Sequence, residues 1–142
     1  MTNPSGPGIT EGTENEDTID GGFTDVGGDA VSNSDDVVNA GAGDDDVSSL
    51  GGDDVVYGGT GADNIDSGTG NDTVFGDTAG LTDVDNGNDS IFADDGDDLV
   101  YGEGGSDTID GGEGNDTIFG GFPDPGTVTG RESFNWSLLP GT

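Results

Sequence analysis

The chain has 142 residues, with 32 aspartates and glutamates against a single basic side chain, Arg131, and a formal charge of −31. Like charges at this density oppose a compact state unless a cation joins them, and with so little apolar residue to bury the chain is expected to be unfolded alone. The lack of cysteine excludes disulfide staples, no apolar run approaches the roughly 20 residues of a membrane-spanning helix, and the length fits one domain at most.

Residues 1–11 are expected to be a flexible N-terminal segment. The start, MTNPSGPGITEG, has neither a basic region nor an apolar stretch, so no cleavable secretory signal is visible. From Gly12 onward a period of nine residues takes over. Ten aspartates (Asp17, Asp36, Asp45, Asp54, Asp63, Asp72, Asp89, Asp98, Asp107 and Asp116) are each followed two residues later by valine or isoleucine. Five such units run unbroken over 31–75 and four over 84–119; the cleanest are GGTGADNID (58–66), SGTGNDTVF (67–75) and GGEGNDTIF (111–119). A fixed period outranks any local propensity.

The first units depart from the pattern. GTENEDTID (12–20) has Asn15 at the fourth place and VSNSDDVVN (31–39) has Ser34 there. The stretch 21–30, GGFTDVGGDA, is one residue longer than a unit and reads either as a degenerate turn or as a looped connection. Residues 12–30 are therefore expected to be an atypical N-terminal cap or degenerate repeat, as terminal repeats tend to be.

Within a unit each place has its own physical task. Glycines at the first, second and fourth places let the backbone enter positive φ and turn carbonyl oxygens inward. The sixth place is always aspartate. Calcium takes six to eight hard oxygen ligands at about 2.3–2.6 Å, a set that carbonyls and a carboxylate supply in flexible geometry. One loop offers too few of them, so an ion is expected to be shared between neighbouring turns. Places seven to nine form a short strand whose central side chain faces inward. That eighth place reads Ile19, Val38, Val47, Val56, Ile65, Val74, Ile91, Val100, Ile109 and Ile118, all β-branched, which suits a narrow pleated core. Two units would make one coil of a flattened parallel roll with alternate units in facing sheets, about 20–25 Å long at roughly 4.8 Å per coil.

An insertion, GDTAGLTD at 76–83, interrupts the roll expected over 31–119. If it replaces a unit, alternation passes through it; if it is a bulge, unit 84–92 follows 67–75 directly across the roll. The bulge is favoured, because it places Tyr57, Phe75, Tyr101 and Phe119 in one sheet and leaves only Phe92 in the other. After Phe119 the composition changes. Residues 120–142 contain prolines at a turn and Phe134, Trp136 and Leu138 alternating with polar residues as in a strand. This segment is read as a cap on the C-terminal end, the first strand of a neighbouring domain, or part of an export signal.

The nonapeptide resembles that of the RTX family, the repeats-in-toxin proteins. The resemblance covers 31–119 well and 12–20 weakly. It implies an all-β fold, a right-handed parallel β-roll (β-solenoid) of two short-stranded sheets with several Ca2+ ions between turns. It also implies export from a bacterium through a type I apparatus, hence a secreted or cell-surface location. Carried over by position, it makes side-chain ligands of Asp36, Asp45, Asp54, Asp63, Asp72, Asp89, Asp98, Asp107 and Asp116. Backbone oxygens would come from the turns containing Gly41, Gly43, Gly52, Gly58, Gly59, Gly61, Gly68, Gly70, Gly87, Gly96, Gly102, Gly105, Gly111, Gly112 and Gly114.

Rival functions fit less well. Acidic pairs such as Asp53-Asp54 and Asp97-Asp98 could pass for a general acid and base, yet each sits at places five and six of the repeat, and histidine, cysteine and lysine are lacking, so no catalysis is expected. Anionic glycans need basic side chains, and only Arg131 is present; a neutral glycan could still stack on Tyr57, Phe75 or Tyr101. Ice binding would need a flat rank of identical residues, which the third places do not form. Nucleic-acid mimicry is unneeded, since metal geometry accounts for the aspartates, and no EF-hand loop occurs. The expected function is a calcium-folded structural or adhesive part of a secreted protein. Carbohydrate-binding or self-assembling surface-layer modules are the alternative, and an accessory domain of a secreted enzyme comes behind. Partners beyond calcium would be neighbouring domains, a glycan, or a second copy through the solenoid ends.

Overall fold

The computed structural model describes residues 9–23, 30–78, 86–121 and 133–135. Its regular elements are twelve short strands: β1 (Ile9–Glu11), β2 (Thr18–Ile19), β3 (Val37–Ala42), β4 (Asp46–Ser48), β5 (Val55–Thr60), β6 (Asn64–Asp66), β7 (Thr73–Asp77), β8 (Ser90–Phe92), β9 (Leu99–Tyr101), β10 (Thr108–Asp110), β11 (Thr117–Phe119) and β12 (Ser133–Asn135). Odd-numbered strands make one sheet in sequence order and even-numbered strands the other. Every pairing is parallel, and successive strands change sheets, so two nonapeptides make one coil of a parallel β-roll.

The eighth place fills the space between the sheets. Ile19, Val38, Val56, Ile65, Val74, Ile91 and Val100 are fully buried, with Val47 and Ile109 nearly so and Ile118 packed half-buried at the C-terminal end. Their registers run in unbroken columns, Val38↔Val56↔Val74↔Val100 on one side and Val47↔Ile65↔Ile91↔Ile109 on the other. Short branched side chains suit so narrow an interior, because their stiff χ1 loses little freedom on a pleated surface.

Two expectations are revised or sharpened. The segment 1–11, expected to be flexible, ends in a strand: β1 pairs with β3 and places Thr10, 1% exposed, opposite Val38 in the core column. Most of 21–30 lies outside the described residues; the strands on either side of it, β2 and β3, belong to facing sheets. The insertion is a bulge, because Phe75 pairs directly with Tyr101. Its boundary shifts, however. Asp77 still pairs with Gly59, and Thr78 N donates to Gly59 O at 2.9 Å, so Gly76 and Asp77 are the first two places of the next unit. The fourth place resumes at Gly87, whose α-carbon abuts the Gly61 carbonyl. The extra residues therefore lie between Asp77 and Gly87 rather than over 76–83.

At the other end, the strand expected around Phe134 forms and extends the even sheet, with Phe134 in register with Ile109. Trp136 and Leu138 lie outside the described residues.

The two outer faces differ. From β3 to β11 the outward seventh and ninth places of the odd sheet are Val37, Asn39, Val55, Tyr57, Thr73, Phe75, Leu99, Tyr101, Thr117 and Phe119, without one charge. The even sheet shows Asp46, Asp66 and Asp110 at the equivalent places. On the odd sheet Tyr57, Phe75, Tyr101 and Phe119 form a continuous stack with ring centroids 5.0, 5.0 and 4.9 Å apart and planes within 10°. That spacing is the strand separation of a parallel sheet, so the ladder follows from the register.

Candidate metal centre

The sixth-place aspartates stand one coil above another at the two turns of the roll. From Asp45 onward each fastens one oxygen backward. Asp54 Oδ1 accepts the N–H of Asp36 at 2.7 Å, Asp72 that of Asp54 at 2.8 Å, Asp98 that of Asp72 at 2.8 Å and Asp116 that of Asp98 at 3.1 Å. On the opposite turn Asp45 receives Asp17 at 2.8 Å, Asp63 receives Asp45 at 2.9 Å, Asp89 receives Asp63 at 2.9 Å and Asp107 receives Asp89 at 3.0 Å. Oδ1 is thereby fixed, and so is the direction of Oδ2.

The second oxygen is where the chemistry lies. In Asp45, Asp54, Asp63, Asp72, Asp89 and Asp98, all at most 2% exposed, Oδ2 is buried with no hydrogen-bond partner. A buried carboxylate oxygen without a donor costs several kcal/mol by order of magnitude, and a column of them is sustained only if something positive is supplied. Carbonyls converge on the same places. A side chain at Gly102 would place its first carbon 2.5 Å from Asp107 Oδ2 and 2.9 Å from the Gly120 carbonyl. Gly58 and Gly76 stand in the same relation to Asp63 and Asp89, with the carbonyls of Gly76 and Gly102. Glycine at the first place thus leaves room for converging oxygens. It is not there for positive φ, which corrects the expectation; only the second and fourth places adopt it, as at Gly59 (φ 121°) and Gly61 (φ 112°).

The remaining candidate glycines divide accordingly. Gly41, Gly68 and Gly112 are second-place residues and Gly43, Gly52, Gly70, Gly105 and Gly114 fourth-place residues in positive φ. Gly87 and Gly96 lack it but press against the carbonyls of Gly61 and Gly70, where any β-carbon would overlap. Gly111 packs on Asp116 Oδ2 as Gly58 packs on Asp63.

Burial dominates the electrostatics. It pushes the Asp89 carboxyl up to about 8, against the bond from the Asp63 N–H, with the carboxylates of Asp77, Asp107 and Asp63 adding to the rise. Asp63 and Asp98 rise to about 7 and Asp72 to about 6 for the same leading reason, and Asp45 and Asp54 are raised as well. These groups titrate high because an anion there has no counter-charge. Hard oxygens, anionic and fixed in direction, are the donor set calcium selects. No cluster of three or more His, Cys, Asp or Glu side chains occurs among the described residues, so a cation here would draw on backbone carbonyls beside the aspartates.

The ends of the roll are different. Asp36 Oδ2 accepts the N–H of Ser32 at 2.7 Å and its hydroxyl at 3.2 Å, and Asp17 Oδ2 accepts the N–H of Thr13 at 2.6 Å and its hydroxyl at 2.9 Å. These two carboxylates satisfy themselves within their own loops. Sequence reasoning missed the pair, although a signal existed: Thr13 and Ser32 carry the only hydroxyls at the second place. It also missed Asp77, which is 1% exposed, accepts the N–H of Gly87 at 3.1 Å and of Gly104 at 3.2 Å, and is raised by burial to about 6.

The fifth place runs the other way. Asp53 Oδ1 accepts the N–H of Asn71 in the following coil at 2.8 Å, Asn71 accepts Asp97 at 3.0 Å, and Asp97 accepts Asn115 at 2.9 Å. Adjacent carboxylates such as Asp53 and Asp54 are thus separate stitches rather than an acid–base pair.

In the aromatic ladder each ring covers its neighbour's face. Among the described residues, only Tyr57 and Phe119, at its ends, have a face without a ring against it. No helix among the described residues is long and apolar enough to cross a membrane.

Among known families, the one described as RTX calcium-binding nonapeptide repeat (4 copies) matches residues 31–56, 49–78 and 83–118. No curated protein and no solved structure matches the chain.

Proposed function

Because the chain belongs to the RTX calcium-binding nonapeptide repeat family, we propose that its function is to fold on binding several calcium ions, as a non-catalytic structural or adhesive module of a type I-secreted bacterial protein. The carrying observation is the double column of buried Oδ2 atoms without donors. Asp45, Asp54, Asp63, Asp72, Asp89, Asp98 and Asp107 hold the ions through their side chains, with backbone oxygens of the glycine turns beside them. Asp36 and Asp116, at the ends of their column, contribute less. Asp36 is already satisfied by Ser32, and Asp116 is the last aspartate of its column among the described residues.

Calcium supplies the positive charge that lets these carboxylates stay ionised while buried. The chain fixes each Oδ1, aims each Oδ2 and keeps the first place free of side chains. Since these arrangements exist only in the stacked coils, binding free energy becomes folding free energy, and each ion that prefers the native state adds to its stability. Low calcium inside the cell keeps the chain threadable, and higher calcium outside locks it, which fits an extracellular destination. Support for a non-catalytic role comes from the opposed use of the acidic pairs.

The test is circular dichroism of the full chain from EDTA to millimolar calcium, with calorimetry for stoichiometry. A cooperative gain of β signal with several ions bound is expected. Identical spectra at both extremes would refute the proposal.

A further inference from the structure

We infer that Asp77 is a splice: its carboxylate replaces two backbone hydrogen bonds that the excursion after it breaks, and so carries the stacking of coils from the first block of repeats into the second. In the regular turns the third-place N–H donates to the second-place carbonyl one coil earlier, as in Thr69 to Leu50 and Asp95 to Gly68, both 3.1 Å. The fourth-place N–H donates to the third-place carbonyl one coil later, as in Gly52 to Thr69 at 2.9 Å and Gly70 to Asp95 at 2.8 Å.

At the excursion both bonds change partner. The third-place N–H of Gly104 would reach the Asp77 carbonyl and instead donates to Asp77 Oδ2 at 3.2 Å. The fourth-place N–H of Gly87 would reach the Gly104 carbonyl and instead donates to Asp77 Oδ1 at 3.1 Å. One side chain answers two amides in two successive coils. Asp77 also lacks the positive φ of the other second-place residues between 40 and 119, from Gly41 to Gly112. Its backbone has left the regular path, and its carboxylate compensates from there. The two amides are part-buried and the carboxylate that answers them is buried, so the pairing calls for two acceptor atoms on a short stem at this position.

Asp77 is thus a positioning residue for the calcium column through Asp63, Asp89 and Asp107, and its calcium readout rests on the proposed function. The test is a cycle on the full chain. Asp77→Gly alone takes the acceptor from two part-buried amides, and because hydrogen bonds to a charged acceptor are the stronger kind, the folding equilibrium constant should fall by about tenfold. The calcium transition should then split in two, the second block responding at higher calcium. Deleting residues 78–85 together with Asp77→Gly yields a regular unit, GGNGNDSIF, and should restore a single transition. Deletion alone should be close to wild type.

If Asp77→Gly does not fold at any calcium concentration, Asp77→Asn, which keeps one acceptor oxygen, should fall between it and wild type. Equal losses with and without residues 78–85, or no loss at all, would overturn the splice. Thermal midpoints are read alongside, so a wild-type chain that melts without regard to calcium would sink the calcium proposal while leaving the cycle interpretable.

Discussion

Asp53 and Asp54 are adjacent in sequence and fastened in opposite directions along the stack. Asp53 Oδ1 takes the N–H of Asn71 from the coil after it at 2.8 Å, and Asp54 Oδ1 takes that of Asp36 from the coil before it at 2.7 Å. Asp53 is exposed and its role needs only one oxygen, which asparagine has too; Asn71 performs it in the next coil. Asp53→Asn should change stability by no more than about 0.5 kcal/mol, as exposed substitutions generally do. Asp54→Asn keeps the backward bond but loses the buried charge, so it should remove one ion from the calorimetric count and shift the calcium midpoint upward. Equal behaviour of the two variants would contradict the separate roles.

The raised carboxyls set a pH dependence. A group that titrates higher folded than unfolded favours the folded state when protonated, so its contribution is complete below the ordinary value of 3.8 and is lost as pH rises through about 6 for Asp72, 7 for Asp63 and Asp98, and 8 for Asp89. In EDTA the chain should therefore gain β structure on acidification from about pH 8.5 to 5, while the calcium bound per folded chain falls over the same interval as protons compete for the same carboxylates. Circular dichroism in EDTA against pH reads the first arm and calorimetry at fixed calcium the second. An apo chain whose structure increases toward alkaline pH would contradict the burial of these groups.

Backbone conformation gives a third expectation. Gly70 has φ 136° and a β-carbon there would overlap the Gly52 carbonyl, so Gly70→Ala should cost on the order of 3 kcal/mol or more, the range where strain and overlap combine. Leu50, by contrast, sits at φ 74° with a half-exposed side chain. Leu50→Gly removes a left-handed strain of roughly 1–2 kcal/mol against a smaller entropic cost in the unfolded chain, and should stabilise the calcium-loaded roll slightly. Thermal melting in saturating calcium compares the two.

The aromatic ladder is expected to add stability rather than a binding platform. Phe75→Ala breaks two of the three stacked pairs and should cost about 1–3 kcal/mol, each pair being worth about 0.5–1.5 kcal/mol beyond burial. Phe92→Ala, an exposed residue on the opposite sheet, should cost little. The melting difference between the two variants measures the ladder.

The period was enough to read the alternation of sheets, the core column and the aspartate columns, because each rests on one side-chain type at a constant interval. What it could not show lies where the interval fails. The strand at Ile9–Glu11 went unseen because its unit has Gly8 rather than aspartate at the sixth place, although Thr10 stands nine residues before Ile19. Sequence spacing puts the insertion two residues early, since Gly76 and Asp77 continue a pairing that it cannot distinguish from a loop. The repeat alone suggests positive φ for first-place glycines, whereas their reason is the nearness of a carboxylate and of a carbonyl from another coil. The closure of Asp17 and Asp36 by Thr13 and Ser32 was visible as a substitution at the second place, but its meaning required knowing which carboxylate oxygen the later units leave open.

The side-chain ties of the sixth-place aspartates reach only the adjacent coil, never further along the stack. A gene for such a protein can therefore lengthen or shorten by in-frame gain or loss of one coil, with each new joint meeting the partners it would have met anyway. Heredity can tune the reach of this molecule without redesigning its interior.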